Sequence, residues 1–177
     1  AYVKRGAGLG PGSGNGTSDG TGTIYRITPG NPADGTAFID LDDLLGASTT
    51  GADPHTDFSP GPPDFDAGAF DAVGKVALGD IDISEDDATL YAVNLADRKL
   101  YLLPIGLTPT APTAGQVTSF AVPDPGCVNG VARPFGVKVR RGLVYVGGVC
   151  TAENGGTASN LSAYVYSFDP ATSAWSP

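Results

Sequence analysis

The same order of short segments returns twice along this chain, roughly 50 residues apart, and that repetition limits the fold more than any other feature. In one copy Gly79-Asp80-Ile81-Asp82-Ile83-Ser84 alternates polar and apolar residues, as a half-buried strand does. Glu85–Ala88 is a turn, Thr89–Asn94 a second strand, Leu95–Arg98 a turn, Lys99–Leu103 a third strand and Gln116–Val122 a fourth. In the next copy Phe135–Arg140, Leu143–Gly148 and Ser162–Phe168 are strands one to three, and Ala174-Trp175-Ser176 begins strand four. Leu90-Tyr91 of one copy matches Val144-Tyr145 of the other.

A partial copy opens the chain. Ala1–Lys4 reads as the end of a second strand, Thr23–Ile27 as a third and Thr36–Leu41 as a fourth. Repeated four-stranded antiparallel meanders predict an all-β chain of about three β-propeller blades, because each blade buries its faces against its neighbours. The boundaries are a partial blade at 1–41, an insertion at 42–77, a blade at 78–122 and a blade at 134–177. A two-sheet sandwich is the competing arrangement. Three blades do not close a ring, which takes four to eight. The expectation is therefore a longer polypeptide that supplies other blades, or copies of the chain sharing one ring. A chain that opens at Ala1 and contains no Met is expected to be a processed product or a piece.

In a meander, the loop between strands two and three and the loop leading to the next blade leave from one end. The long segments Arg5–Gly22, Asp42–Ala77, Pro123–Arg133 and Val149–Asn160 all belong to that set, whereas Gly106–Gly115 leaves from the other end. Long loops on a rigid scaffold usually carry function. Cys127 and Cys150 fall at the elaborated end, one before strand one and one after strand two of the same blade. Those ends are neighbours in an antiparallel pair, so a disulfide is expected there. Two paired cysteines in a Gly-, Asn- and Thr-rich chain fit an oxidising exterior.

The chain has 10 Lys and Arg against 19 Asp and Glu, for a net charge of -9, and no basic patch to replace phosphate counterions. Nucleic acid is excluded as an expected partner, and no apolar run reaches the length of a membrane span. Asp53, Asp57, Asp64, Asp66 and Asp71 crowd the long insertion, and Asp80 and Asp82 follow on an inner strand. Calcium takes six to eight oxygen ligands, so Asp53, Asp57, Asp64, Asp66 and Asp80 are the candidate metal ligands, although their spacing does not match an EF-hand. His55 is the single histidine. It stands with Asn94 and Glu153 as a candidate for a ligand-facing surface. No Gly-x-Ser-x-Gly elbow accompanies it, so no catalytic residues are assigned. Two short sequons are present, Asn15-Gly16-Thr17 and Asn160-Leu161-Ser162.

The segments Gly74–Ser84 and Leu90–Leu95 resemble the propeller region of large bacterial surface proteins. So do Pro123–Cys127, Arg133–Gly136, Val149–Glu153 and Leu161–Tyr166. Those proteins often carry immunoglobulin-like repeats similar to the B domains of serine–aspartate-repeat adhesins. The resemblance implies an extracellular or cell-surface setting and supplies no catalytic residues. The functional expectation is a non-catalytic surface module for adhesion or for assembly of a surface structure, with a protein or glycan ligand. The alternative is a calcium-dependent propeller hydrolase or lyase acting on a small molecule or glycan. A quinone-dependent propeller enzyme would need a Trp-rich blade motif, and Trp175 is the single tryptophan.

Overall fold

The computed structural model describes residues 2–4, 20–27, 29–30, 35–52 and 67–177. The fold is all-β, in three open antiparallel sheets. The chain divides into two compact units, Ala1–Leu78 and Gly79–Pro177.

In the first unit, β1 (Tyr2–Lys4), β2 (Thr23–Ile27) and β3 (Gly35–Asp40) form one sheet in that order. Val3 pairs with Tyr25, and Tyr25 with Ala37 beside a bulge. Ile24, Tyr25 and Ile39 of this sheet are buried, as is Leu41 just beyond it. β3 ends at the acidic run Asp40-Leu41-Asp42-Asp43, and the chain continues there into a short helix with Leu41 buried. Asp40 caps a short helix, α1 (Leu41–Leu45), its Oδ1 accepting from the amides of Asp42 (2.9 Å) and Asp43 (3.2 Å). The Asp42 carboxylate accepts from the Thr50 amide at 2.8 Å and the Thr50 hydroxyl at 2.7 Å, which folds the following loop back on the helix. A second short helix, α2 (Ala67–Ala72), lies in the region read as an insertion.

The second unit holds two four-stranded meanders. One runs β4 (Leu78–Ile83), β5 (Thr89–Asn94), β6 (Lys99–Pro104), β7 (Thr118–Ala121). The other runs β8 (Ala132–Arg140), β9 (Leu143–Cys150), β10 (Ser162–Asp169), β11 (Ala174–Ser176). Each strand pairs with its successor, so the sequence order is the spatial order. The hairpins turn tightly at non-glycine residues in the left-handed region: Asp87, Arg98, Arg141 and Ser173, with φ between 54° and 60°. Side-chain oxygens support several of these turns; Asp97 Oδ1, for example, accepts from the Lys99 amide at 3.2 Å.

Two strand boundaries differ from expectation. β7 is shorter than Gln116–Val122 because Ala114–Gln116 closes into a 3-10 turn, held by reciprocal bonds between Thr113 and Gln116. β8 begins before Phe135 and passes through Pro134 at a bulge. Proline is tolerated there because β8 lies at the edge of its sheet.

The two meanders pack face to face. Tyr91, Val93, Leu95 and Leu100 of the first meet Val137, Val139, Val144, Val146 and Phe168 of the second in one buried cluster. The strands of the two meanders that come together most are β5 and β8. The first strands β4 and β8 lie together, and toward the far side the Phe120 ring of β7 stands 4.6 Å from Phe168 of β10, which contacts Trp175 of β11 at 4.9 Å.

Candidate functional site

The chemistry-bearing residues of the second unit gather in two places, a seam between β4 and β8 and a disulfide-bound loop cluster.

The seam follows from period-two alternation. Asp80 and Asp82 lie two apart on β4 and so project the same way. Their partners on β8, Val137 and Val139, are also two apart. Asp80 Oδ2 accepts from the Val137 amide at 3.1 Å, and Asp82 Oδ2 from the Val139 amide at 2.7 Å. The other oxygen of each turns back to its own strand, Asp80 Oδ1 accepting from the Ile81 amide (2.9 Å) and Asp82 Oδ1 from Ile83 (3.0 Å). Past the end of β4, Glu85 continues the row, accepting from the amides of Arg141 (2.6 Å) and Gly142 (3.1 Å). The partners advance in the same direction on both strands, so β4 and β8 run parallel. Three carboxylates thus satisfy amides along two facing sheet edges that backbone pairing leaves open.

Gly79 permits this approach. A Cβ there would lie 2.6 Å from the Phe135 carbonyl oxygen. Lys138 Nζ adds an ion pair with Asp82 at 2.8 Å. Burial opposes ionisation of Asp82, but the Lys138 ammonium and the Val139 and Ile83 amides outweigh it and hold the carboxyl below its ordinary value.

The loop cluster joins the ends of two segments, residues 122–131 and 151–161. Cys127 and Cys150 are disulfide-bonded as expected, with Cα atoms 5.3 Å apart and a sequence separation of 23. The Thr151 amide donates to the Val131 carbonyl at 3.0 Å and the Asn154 amide to the Asn129 carbonyl at 3.1 Å, so both loops leave from the same end. Asp124 Oδ1 accepts from the amides of Gly126 (2.8 Å) and Cys127 (2.9 Å). The Cys127 and Gly126 amides depress its pKa. Arg133 and Glu153 bridge the loops in a 2.6 Å ion pair.

Beneath them Tyr164 packs on Gly148, where a Cβ would stand 2.5 Å from the phenol and 2.6 Å from the Arg133 carbonyl oxygen. The Tyr164 hydroxyl is buried and has no hydrogen-bond partner among the described residues. Burial first, then the negative field of Asp124, pushes its pKa to about 12.

The sequence-derived candidates separate accordingly. Asp80 lies in the seam. Asp53, His55, Asp57, Asp64 and Asp66 lie outside the described residues. Asn94 is fully buried and supports a turn, its Oδ1 accepting from the Ala96 amide at 3.0 Å. Glu153 belongs to the loop cluster through Arg133. Asn160 of the second sequon accepts the Thr157 amide at 2.9 Å, and Asn15 lies outside the described residues. Among the described residues, no group of three or more His, Cys, Asp or Glu side chains is placed to hold a metal ion. No helix among them is long and apolar enough to cross a membrane. Sequence reasoning missed the linking role of Asp82 and Glu85; acids two apart on an inner strand were the available signal.

Three proteins of Dictyostelium discoideum are similar to this chain. Colossin-C is 29% identical over 181 residues, covering 99% of the chain and 16% of that protein. Colossin-D is 30% identical over 161 residues, covering 89% of the chain and 15% of that protein. Colossin-A is 27% identical over 184 residues, covering 97% of the chain and 1% of that protein. The chain therefore spans a small part of the curated relatives it matches. These relatives are eukaryotic and lend no support to the expected bacterial origin. No protein-family model and no solved structure matches the chain.

Proposed function

We propose that this chain is a stack of β-propeller blades that serves as a non-catalytic module of an extracellular or cell-surface protein, acting in adhesion or in assembly of a surface structure. The observation that carries this reading is the seam. On this reading the two meanders, which meet with first strands parallel and are laced by Asp80, Asp82 and Glu85, are neighbouring blades.

Two further features support a rigid presenting scaffold over a reactive one. The seam and Asp124 carboxylates are engaged with backbone amides. The elaborated loops are locked by a disulfide and the Arg133–Glu153 pair, which suits an oxidising exterior.

The test is a binding survey of the purified chain over immobilised glycans and extracellular-matrix proteins, together with its mass in solution by light scattering. Saturable binding or defined self-assembly is expected. A strictly monomeric chain that binds none of these surfaces overturns the reading.

A further inference from the structure

We propose that Asn154 is a self-modification site: the Gly155 nitrogen displaces its side-chain amide and leaves an aspartyl or isoaspartyl residue in the disulfide-bound loop cluster.

An asparagine followed by glycine is prone to cyclise, because glycine puts no Cβ beside the attacking nitrogen and lets the chain turn toward the side chain. The sequence holds three such pairs, Asn15-Gly16, Asn129-Gly130 and Asn154-Gly155. The first lies outside the described residues. The other two meet in the loop cluster, where the Asn154 amide donates to the Asn129 carbonyl at 3.1 Å and Asn154 Nδ2 reaches the Gly130 carbonyl at 3.5 Å. Both asparagines are exposed. What separates them is the peptide plane that must rotate, since ring closure brings the glycine nitrogen to the same side as the asparagine Cβ.

The Asn129–Gly130 plane is held. Asn129 has φ 53°, in the left-handed region, where a ψ of about +47° sets the next nitrogen on the side away from the Cβ. Rotation would also pull the Asn129 carbonyl from the Asn154 amide. Gly130 is wedged in place, since a Cβ there would stand 1.6 Å from the Thr151 carbonyl oxygen. The Thr151 amide is itself tied to the Val131 carbonyl at 3.0 Å.

The Asn154–Gly155 plane carries none of these restraints. Neither the Asn154 carbonyl nor the Gly155 amide makes a hydrogen bond among the described residues. A Cβ on Gly155 would meet nothing within 4 Å, so the plane turns in open space. The Gly156 amide donates to the Ala152 carbonyl at 2.9 Å, which closes the turn at its ends and leaves this middle plane untied.

The step balances with water as its one co-reactant. The Gly155 nitrogen gives up its proton and bonds to Asn154 Cγ. The Cγ–Nδ2 bond breaks, and Nδ2 leaves as ammonia with that proton. Water then adds to one carbonyl of the cyclic imide and reopens it. Opening on one side of the imide nitrogen gives aspartate, and on the other isoaspartate, whose backbone runs through the former side chain. No electrons are exchanged. Either product adds a negative charge beside Glu153 and removes the Nδ2 donor that faces the Gly130 carbonyl.

The experiment is storage of the oxidised full chain in warm neutral buffer made with heavy-oxygen water, followed by peptide mapping in a mass spectrometer. Asn154 is expected to convert, to take up one heavy oxygen and to yield both products, while Asn129 keeps its amide. In the reduced chain unfolded in urea, both sites are expected to convert at similar rates. Gly155→Ala is expected to slow conversion of Asn154 about tenfold, because its Cβ crowds the attacking nitrogen. Three outcomes overturn the inference. One is an Asn154 that persists in the native chain after the unfolded chain has converted. Another is an Asn129 that converts as fast as Asn154 in the native chain. The third is conversion to aspartate with no isoaspartate, which would mean direct hydrolysis without the ring.

Discussion

The Asp82 carboxylate accepts the Val139 amide at 2.7 Å, across two strands that share no backbone ladder. Removing it leaves that amide and the Lys138 ammonium without their acceptor. Losing one side of such an arrangement costs about 1–3 kcal/mol when the orphaned group is kept from water. Asp82→Ala is expected to lower the unfolding free energy by about that amount in a urea titration. An unchanged midpoint would show that the seam contributes nothing to stability.

The same residue sets a pH dependence. Its folded pKa lies below the ordinary value of 3.8. A carboxyl depressed on folding stabilises the protein above its unfolded pKa, and that contribution disappears as pH falls through the folded value. The stability gap between wild type and Asp82→Asn should therefore be constant at neutral pH and shrink from about pH 4 downward. A gap that widens in acid would contradict the assignment.

Tyr101 acts at the opposite end of the scale. Burial, then its hydroxyl's 2.6 Å bond to Asp97, raises its pKa to about 12. A phenol whose pKa rises on folding stabilises the protein below the unfolded value, and the contribution is lost as pH climbs through the folded one. Tyrosinate absorbance of the native chain is expected to show a late component near pH 12, from Tyr101 and Tyr164, that Tyr101→Phe reduces. Full ionisation near pH 10 without unfolding would count against it.

Tyr164 and Gly148 make a paired expectation. The Tyr164 hydroxyl is buried without a partner, so Tyr164→Phe should be neutral or stabilising by about 1 kcal/mol. Gly148→Ala drives a methyl against both that ring and the Arg133 carbonyl, and should cost about 1–3 kcal/mol. Thermal melts of the two variants should move in opposite directions or, at least, only Gly148→Ala should fall.

The disulfide offers a separate check. Closing a loop of 23 residues is worth about 3 kcal/mol in the chain-entropy account. Reduction, or joint replacement of Cys127 and Cys150 by Ser, should lower the melting temperature by several degrees. An unchanged melt on reduction would mean that the Arg133–Glu153 bridge and the backbone bonds between the loops suffice.

Most strands of the second unit were legible because alternation is a local property; Thr89–Asn94 and Lys99–Leu103 needed only their own side chains to be recognised. The cysteine pairing was legible for a related reason, since adjacent strand ends bring the two residues together. What escaped was whatever depended on a distant neighbour. Asp80 looks the same in sequence whether its oxygens face a cation or the amides of β8, and the deciding strand begins dozens of residues later. The helix α1 escaped because five residues cannot display a helical period, although Asp40 is an ordinary cap. β8 was cut short at Phe135 because Pro134 reads as a breaker until the bulge is seen.

The seam also bears on how such a chain stays folded in company. An open strand edge invites foreign backbone to add on and propagate into fibrils. With carboxylates already seated on the amides of Val137, Val139 and Arg141, an intruding strand would first have to evict them, and it would meet their negative charge. The row that links the two meanders therefore doubles as a guard against runaway cross-β growth.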